Sequence, residues 1–289
     1  MRKSIQILIF ITLFNLLSYA KDVELFLENN HVNSGSTALL YLNSSHVLKN
    51  PKLTFEKLNI DFAPHPTLPN GYFAFIPVDY YTPLGSYTVI VSYKENGKKR
   101  FKAVTLNVTD AHYSSEVINV AKSKVELNKK DKERTKKEYE EAMRLYHYIS
   151  SKKFTTSSFI NPLNTPITSQ FGTKRVYNNT IKSYHSGTDY KAPIGTKIYA
   201  TASGVVKMAQ NRFYAGNSVV IDHGYGVYSG YYHLSKLLVK KNQHVKQGQL
   251  IGISGDTGRV TGPHLHFSFR VHGIQVNPLE FLEVANKLQ

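Results

Sequence analysis

The sequence predicts a mainly β protein in which two β-rich regions are joined by one charged helix. Residues 21–110 and 154–289 contain short runs of β-branched and aromatic residues separated by Gly, Pro, Asn and Ser, a pattern typical of strands and turns. Residues 127–153 are densely charged and lack Gly and Pro, as expected of a helix. We therefore expect a small N-terminal β-sandwich, a charged helical connector and a C-terminal antiparallel β-sheet domain.

The first twenty residues are predicted to be a secretory signal rather than part of the fold. Arg2 and Lys3 precede an apolar run from Ile5 to Leu17, and cleavage is expected after the small residue Ala20. The apolar run is shorter than the ~18 residues that a membrane-spanning helix needs. We expect an exported chain without a membrane span once residues 1–20 are removed.

The composition limits both the chemistry and the partners of the chain. Cysteine is absent, which excludes disulfide bonds and thiolate zinc sites. The formal net charge is +16, and a basic surface of this size attracts polyanions. No nucleic-acid-binding signature is present, so we expect a carboxylate-rich cell-wall polymer or an anionic lipid surface as partner. Solubility alone is the alternative explanation of the charge.

The N-terminal region, residues 21–110, contains one clear β-hairpin. Tyr87, Val89 and Val91 alternate with more polar neighbours, and Asn96-Gly97 supplies the turn signal. Several strands at this spacing predict a small sandwich. No residue of this region is expected to be catalytic.

The connector, residues 111–153, is predicted to contain an amphipathic helix. Its apolar residues recur at a period of 3.6, which places them on one helix face. These residues are Tyr139, Ala142, Met143, Tyr146 and Ile149. We expect this face to hold the N-terminal sandwich against the C-terminal domain.

The C-terminal region, residues 154–289, contains the residues expected to carry chemistry. In "RVTGPHLHFSFR", His264 and His266 are separated by one residue, so a strand would direct both imidazoles to one face. In "YHSGTDY", a bend at Gly187 can bring His185 and Asp189 to one centre. With one histidine of the "HLH" pair they form a set of two histidines and an aspartate. Such a set fits catalytic zinc, which takes three protein ligands and leaves one position for water.

These motifs resemble the lysostaphin/LytM-type zinc peptidases of bacterial cell walls. The resemblance covers roughly residues 160–283 and includes "HSGTDY", "YYHL", "GNSVVIDHG", "GPHLHF" and "VNPLEFL". The whole arrangement is similar to exported Gram-negative members that trim cell-wall peptides and set helical cell shape. It implies a C-terminal peptidase domain of LytM type that acts in the periplasm.

The resemblance also implies a role for each site residue. His185, Asp189 and His266 are expected to bind one Zn²⁺ per chain, His233 and His264 to be the catalytic histidines, and Asn217 to lie near the substrate groove. The expected substrates are peptidoglycan peptides, cut at the D-alanyl–D-alanine bond, at the D-alanyl–meso-diaminopimelate cross-link, or at both. We expect a monomer.

Two other functions are compatible with the same sequence. The chain could be a non-catalytic scaffold of the same fold that activates other wall hydrolases, although such relatives typically lack the ligands. It could also be a binding module in which the sandwich is the functional part. His223, His244 and His272 match no ligand motif, so we expect them to be structural.

Overall fold

The computed structural model describes residues 23–118, 127–150, 158–177 and 181–288. The predicted signal segment lies outside these ranges. Within them, no helix is long and apolar enough to cross a bilayer.

The N-terminal region forms two β-sheets that share one hydrophobic core. Its strands are β1 (Val23–Leu27), β2 (His31–Asn33), β3 (Thr37–Ser44), β4 (Lys49–Phe55), β5 (Leu58–Asp61), β6 (Ala63–Pro64), β7 (Gly71–Pro77), β8 (Gly85–Glu95) and β9 (Lys98–Thr109). The four-stranded sheet has the order β1-β3-β7-β6, and the five-stranded sheet has the order β2-β9-β8-β4-β5. Val89 and Val91 of β8 are buried in this core, whereas Ile90 between them is exposed, as the sequence alternation predicts.

The connector contributes a strand as well as a helix. Strand β10 (Ser115–Ile118) lies in a three-stranded sheet beside His185 of the "YHSGTDY" motif, while α1 (Lys129–Tyr146) follows it in the chain. The side chain of Asn128 caps α1 by accepting a hydrogen bond from the backbone N–H of Asp131, which satisfies one of the free donors at the start of the helix.

The C-terminal region is an antiparallel β domain that ends in a short helix. Its elements are β11 (Ile167–Ser169), β12 (Lys174–Tyr177), β13 (Ile181–Tyr184), β14 (Thr188–Lys191), β15 (Lys197–Tyr199), β16 (Gly204–Arg212), β17 (Gly216–Gly224), β18 (Val227–Leu237), β19 (His244–Val245), β20 (Leu250–Ser254), β21 (His264–Val271), β22 (Ile274–Val276) and α2 (Pro278–Ala285). The main sheet has the order β11-β14-β21-β18-β17-β16-β19, with β15, β20 and β22 paired beside it. The mainly β fold is therefore as predicted.

The two β domains meet through α2. Phe75 of β7 lies against Phe281 of α2, with ring centroids 5.3 Å apart, and Phe281 in turn packs on Phe269 of β21 at 4.5 Å. The hydroxyl of Ser36 donates to the carboxylate of Glu280 at the edge of this contact. The four-stranded sheet thus lies between the five-stranded sheet and the C-terminal domain.

Helix α1 does not hold the sandwich in the way that the sequence predicted. Its buried residues Ala142 and Tyr146 pack on the main C-terminal sheet, against residues of β16, β17 and β18. Tyr139 is 63% exposed and Ile149 is 49% exposed, so the predicted apolar face is buried only in its middle. The helix ends at Tyr146, which leaves Ile149 outside the regular helical face.

Candidate metal centre

The centre of the site is one cross-strand pair. Asp189 of β14 lies directly opposite His266 of β21 in the antiparallel register, so both side chains leave the sheet on the same face. Leu265 and Phe267, which alternate with the histidines of β21, are fully buried in the core on the other face. His264 therefore shares the face of His266, as the period of a strand requires.

His185 reaches this pair from a turn that enters β14. Gly187 lies within the turn, and a Cβ atom there would lie 2.5 Å from the carbonyl oxygen of Phe267 and 2.6 Å from Nε2 of His266. Only glycine lets the turn pass so close to β21. The bend that the sequence predicted at this position brings His185 to Asp189.

Three donor atoms converge in the resulting cluster. Nε2 of His185 lies 3.0 Å from Oδ1 of Asp189 and 3.0 Å from Nδ1 of His266. Nδ1 of His266 lies 2.8 Å from the same carboxylate oxygen. Ligands of a tetrahedral ion with bonds of ~2.1 Å lie roughly 3.4 Å apart, so a small outward movement of each donor would admit zinc. Two imidazoles and one carboxylate are a donor set that zinc prefers.

Backbone and hydroxyl groups orient the first of these histidines. Nδ1 of His185 lies 2.8 Å from the carbonyl oxygen of Gln170 and 3.1 Å from Oγ of Ser169. A carbonyl oxygen can only accept, so Nδ1 carries the proton and Nε2 presents its lone pair to the cluster. This is the usual outer support of a metal-binding histidine. This support could not be predicted from the sequence, because a backbone carbonyl leaves no signature in residue type.

The electrostatics of the cluster suit a cation. Burial opposes ionisation of Asp189, but the close approach of the His185 and His266 rings outweighs it and holds the pKa of this carboxyl well below its usual range. Burial also lowers the pKa of His266, an effect that Asp189 only partly offsets. An ionised carboxylate and a neutral imidazole are the forms that bind a metal ion.

The other two predicted histidines stand beside the cluster. The ring centroid of His233 lies 4.9 Å from that of His264 and 6.0 Å from that of His266. Nδ1 of His233 is 2.9 Å from the carbonyl oxygen of Thr257, and Nδ1 of His264 is 2.9 Å from that of Gly262. Both Nδ1 atoms therefore donate to the backbone. Nε2 of His264 lies 3.8 Å from Oδ1 of Asp189.

His233 reaches the site through an unusual backbone conformation. Its φ is +61°, in the left-handed region that non-glycine residues seldom adopt. The residue lies where the pairing between β17 and β18 shifts register. Tyr231 is buried in the core, whereas Tyr232 and His233 both lie near the ring of His266. The bulge thus directs two consecutive side chains to the same face.

Asn217 contacts residues that lie next to His233. Its side-chain nitrogen donates to the carbonyl oxygen of Leu234 at 3.0 Å, and its backbone nitrogen donates to the hydroxyl of Thr257 at 2.9 Å. Asn217 therefore joins the end of β18 to the turn whose carbonyl holds His233. A role in the substrate groove stays a prediction.

Helix α1 also reaches the face that carries the metal centre. The hydroxyl of Tyr146 lies 3.0 Å from that of Tyr232, and the Tyr232 ring lies 5.5 Å from the ring of His266. In the described part of the chain, the group of metal-binding side chains contains only His185, Asp189 and His266, with no residue of the sandwich or of α1.

The remaining C-terminal histidines lie away from this cluster. His223 is buried and contacts the carbonyl oxygen of Ser203 and the hydroxyl of Ser229. His272 is half-buried, at the turn between β21 and β22, and His244 is exposed on β19.

Comparison with known proteins agrees with this geometry. Residues 183–278 match the model of peptidase family M23. The chain is 51% identical over 115 residues to the peptidoglycan DD-endopeptidase ShyA of Vibrio cholerae, a match that covers 39% of this chain and 27% of that protein. It is 44% identical over 95 residues to the DD-carboxypeptidase/endopeptidase Mpg of Neisseria meningitidis, covering 33% of this chain and 22% of that protein.

A solved structure shares the fold over most of the chain. A peptidase M23 structure from Pseudomonas aeruginosa aligns with a TM-score of 0.66 and 22% identity, over 88% of this chain and 95% of that one. The chain spans about a quarter of the length of the curated relatives that it matches. The match shows that residues 183–278, which contain the histidine and aspartate cluster, form a peptidase family M23 domain.

Proposed function

We propose that this chain is a zinc metallopeptidase that hydrolyses peptide bonds of peptidoglycan in the periplasm and so remodels the cell wall and cell shape. The observation that carries the proposal is the convergence of His185, Asp189 and His266 with two further histidines beside them. The names of the relatives, a DD-endopeptidase and a DD-carboxypeptidase/endopeptidase, support D-alanyl–D-alanine bonds and D-alanyl–meso-diaminopimelate cross-links as the substrates.

His185, Asp189 and His266 would hold the zinc ion. Zinc bound there would supply Lewis-acid activation of a water molecule and of the scissile carbonyl. All three ligands come from the C-terminal domain and are fixed by strand pairing and by the Gln170 carbonyl. Such support holds the ligands ready for the ion.

His233 and His264 would manage protons and charge during hydrolysis. Because each Nδ1 donates to a backbone carbonyl, Nε2 of the neutral ring is left to accept a proton. Burial, with a further contribution from His266, lowers the pKa of His233 to about 4, so this ring is neutral at physiological pH. One imidazole can accept the proton of the attacking water, and the other, when protonated, can stabilise the oxyanion or protonate the leaving amine.

Metal content and product analysis together test this function. Alanine variants of His185, Asp189 and His266 should lose both zinc and turnover, because each variant removes one ligand. His233→Ala and His264→Ala should keep stoichiometric zinc and lose turnover. His244→Ala, which changes an exposed histidine of the same domain, should keep both.

Mass analysis of muropeptides before and after incubation identifies the bond that is cut. Loss of a terminal alanine indicates carboxypeptidase action, and conversion of cross-linked dimers to monomers indicates endopeptidase action. A purified protein that holds no zinc and cuts neither substrate would favour the scaffold function instead.

A further inference from the structure

The outer face of the five-stranded sheet is exposed and basic. On β8, Val89, Val91 and Tyr93 point into the sandwich core, and the alternate residues are exposed. The four-stranded sheet covers the opposite side of this core and contacts the C-terminal domain through Phe75. The outer face of the five-stranded sheet therefore points away from the metal centre.

Three lysines lie side by side on this face. Lys94 of β8 is directly opposite Lys49 of β4 on one side and Lys99 of β9 on the other, and all three are exposed. Adjacent strands lie about 4.8 Å apart, so these residues, the lysine row, occupy a band about 10 Å wide. Like charges in directly opposed positions destabilise a sheet.

Nearby charges on the sandwich have partners, whereas the lysine row does not. Lys52 lies 3.0 Å from Asp61, and Arg100 lies 3.4 Å from Glu95. Within the described ranges, no carboxylate forms an ion pair with Lys49, Lys94 or Lys99. The row is a set of adjacent positive charges that the protein itself does not neutralise.

Protection of a sheet edge does not explain Lys94, the middle residue of the row. Lysines commonly guard edge strands against pairing with other chains, but β8 lies inside the sheet, with β9 and β4 on its two sides. The same face also exposes two apolar side chains, Phe101 at 62% and Ile90 at 43%. Nζ of Lys99 lies 5.0 Å from the centre of the Phe101 ring. Exposed apolar groups beside unneutralised cations are typical of a binding surface rather than of a solubility device.

We propose that the lysine row and Phe101 form a docking surface for the carboxylate groups of peptidoglycan. This inference rests on the proposed function, since it takes the substrate polymer as the partner. Peptidoglycan repeats its stem-peptide carboxylates along each strand, and such a polyanion complements a row of adjacent ammonium groups. Among the large apolar side chains of the five described strands of this sheet, only Ile90 and Phe101 are exposed, which is little to insert into a membrane. A peptidoglycan strand bound to this face lies on the opposite side of the sandwich from the peptidoglycan strand that is cut.

Binding to purified sacculi tests the docking surface. The triple variant K49Q/K94Q/K99Q should bind about tenfold more weakly at low salt, as expected for the loss of three exposed charge contacts, with a shallower dependence on salt. The matched control K130Q/K132Q/K136Q removes the same charge from exposed positions of α1 and should bind as the parent does. Both sets are compared in the His264→Ala background, so that the polymer is not digested during co-sedimentation.

Two further measurements separate this inference from the proposed function. In the native background, K49Q/K94Q/K99Q should cut soluble muropeptides at the parental rate. Its melting temperature without polymer should be equal to or above that of the parent, because repulsion within the row is removed. Equal binding of both triple variants to sacculi would overturn the docking surface, as would lysine-row-dependent binding to anionic phospholipid vesicles without binding to sacculi.

Discussion

At the scale of single residues, the metal centre depends on positions that have little room for change. Gly187 is the clearest case, because any side chain there would meet both the backbone of Phe267 and the ring of His266. His233 is another, since its left-handed backbone is uncommon for a residue with a Cβ atom. Such conformations persist at functional sites where the surrounding structure enforces them.

Gly187→Ala should reduce zinc affinity more than tenfold, because the new methyl group displaces His266 from the cluster. Titration with zinc in competition with a chromogenic chelator measures the effect directly. Gly262→Ala is the control, since a Cβ at that position meets no heavy atom within 4 Å. Parental zinc affinity in Gly187→Ala would show that the turn tolerates a side chain.

His272 should make stability depend on pH. Burial lowers its pKa from 6.5 to about 4, and nearby Asp61 only partly opposes the shift. Between these values the unfolded chain binds a proton that the folded chain does not, so stability is complete above pH 6.5 and falls as the pH drops toward 4. The contribution is about 3 kcal/mol at most.

His272→Asn should therefore flatten the fall in unfolding free energy between pH 6.5 and 4, measured by urea denaturation. Asparagine tolerates the left-handed φ of +49° at this position. His112→Asn, at a left-handed and exposed residue, should leave the slope unchanged. An identical slope in both variants would contradict the role of His272.

At the scale of elements, strand periodicity made much of the site predictable. The alternation of side chains along a strand is enough to predict that His264 and His266 share one face. The bend before Asp189 could be predicted from Gly187. The left-handed backbone conformation of His233 could not be predicted from the sequence. It belongs to a bulge, and a bulge depends on the register between β17 and β18 rather than on residue type. The helix was predicted with too long an apolar face. Its stripe has the correct period, but the apolar contacts with the sheet involve only the last two turns.

Tyr146→Ala should lower the free energy of unfolding by roughly 3–5 kcal/mol, the usual cost of removing a large buried aromatic side chain. Tyr146 is buried against the main sheet and contacts Tyr232. Tyr139→Ala changes the same residue type in the same helix at a site that is 63% exposed, and should cost less than about 0.5 kcal/mol. Chemical denaturation of both variants makes the comparison, and equal losses would contradict the observed docking of α1.

At the scale of the whole molecule, the two β domains form one continuous structure. The apolar cluster of the C-terminal domain includes Leu39, Phe73 and Phe75 of the N-terminal sheet. The ring of Tyr80, just beyond β7, stacks on Tyr184 with centroids 3.8 Å apart, immediately before His185. The sequence predicted both domains but assigned their contact to α1, because a contact between distant segments leaves no local pattern.

Phe75→Ala should destabilise both domains together, and the chain should still unfold in a single transition by calorimetry. The expected loss is roughly 3–5 kcal/mol, since the ring is buried between the sheet and α2. Phe26→Ala, at a phenylalanine of the same sheet that is 56% exposed, should change stability little. Two separate transitions in the parent protein would show that the domains unfold independently.

The contact between the sandwich and α2 affects the order in which the parts of the chain can fold. Ser36 and Glu280 are 244 positions apart in the chain, and contacts of such separation close slowly. Synthesis produces the N-terminal strands first, so one side of the sandwich stays uncovered until α2 has been made. Strand β21, which carries two of the site histidines, receives its packing partner Phe281 at the same moment. The packing behind the candidate metal centre is therefore complete only after the C-terminal helix α2 has been made.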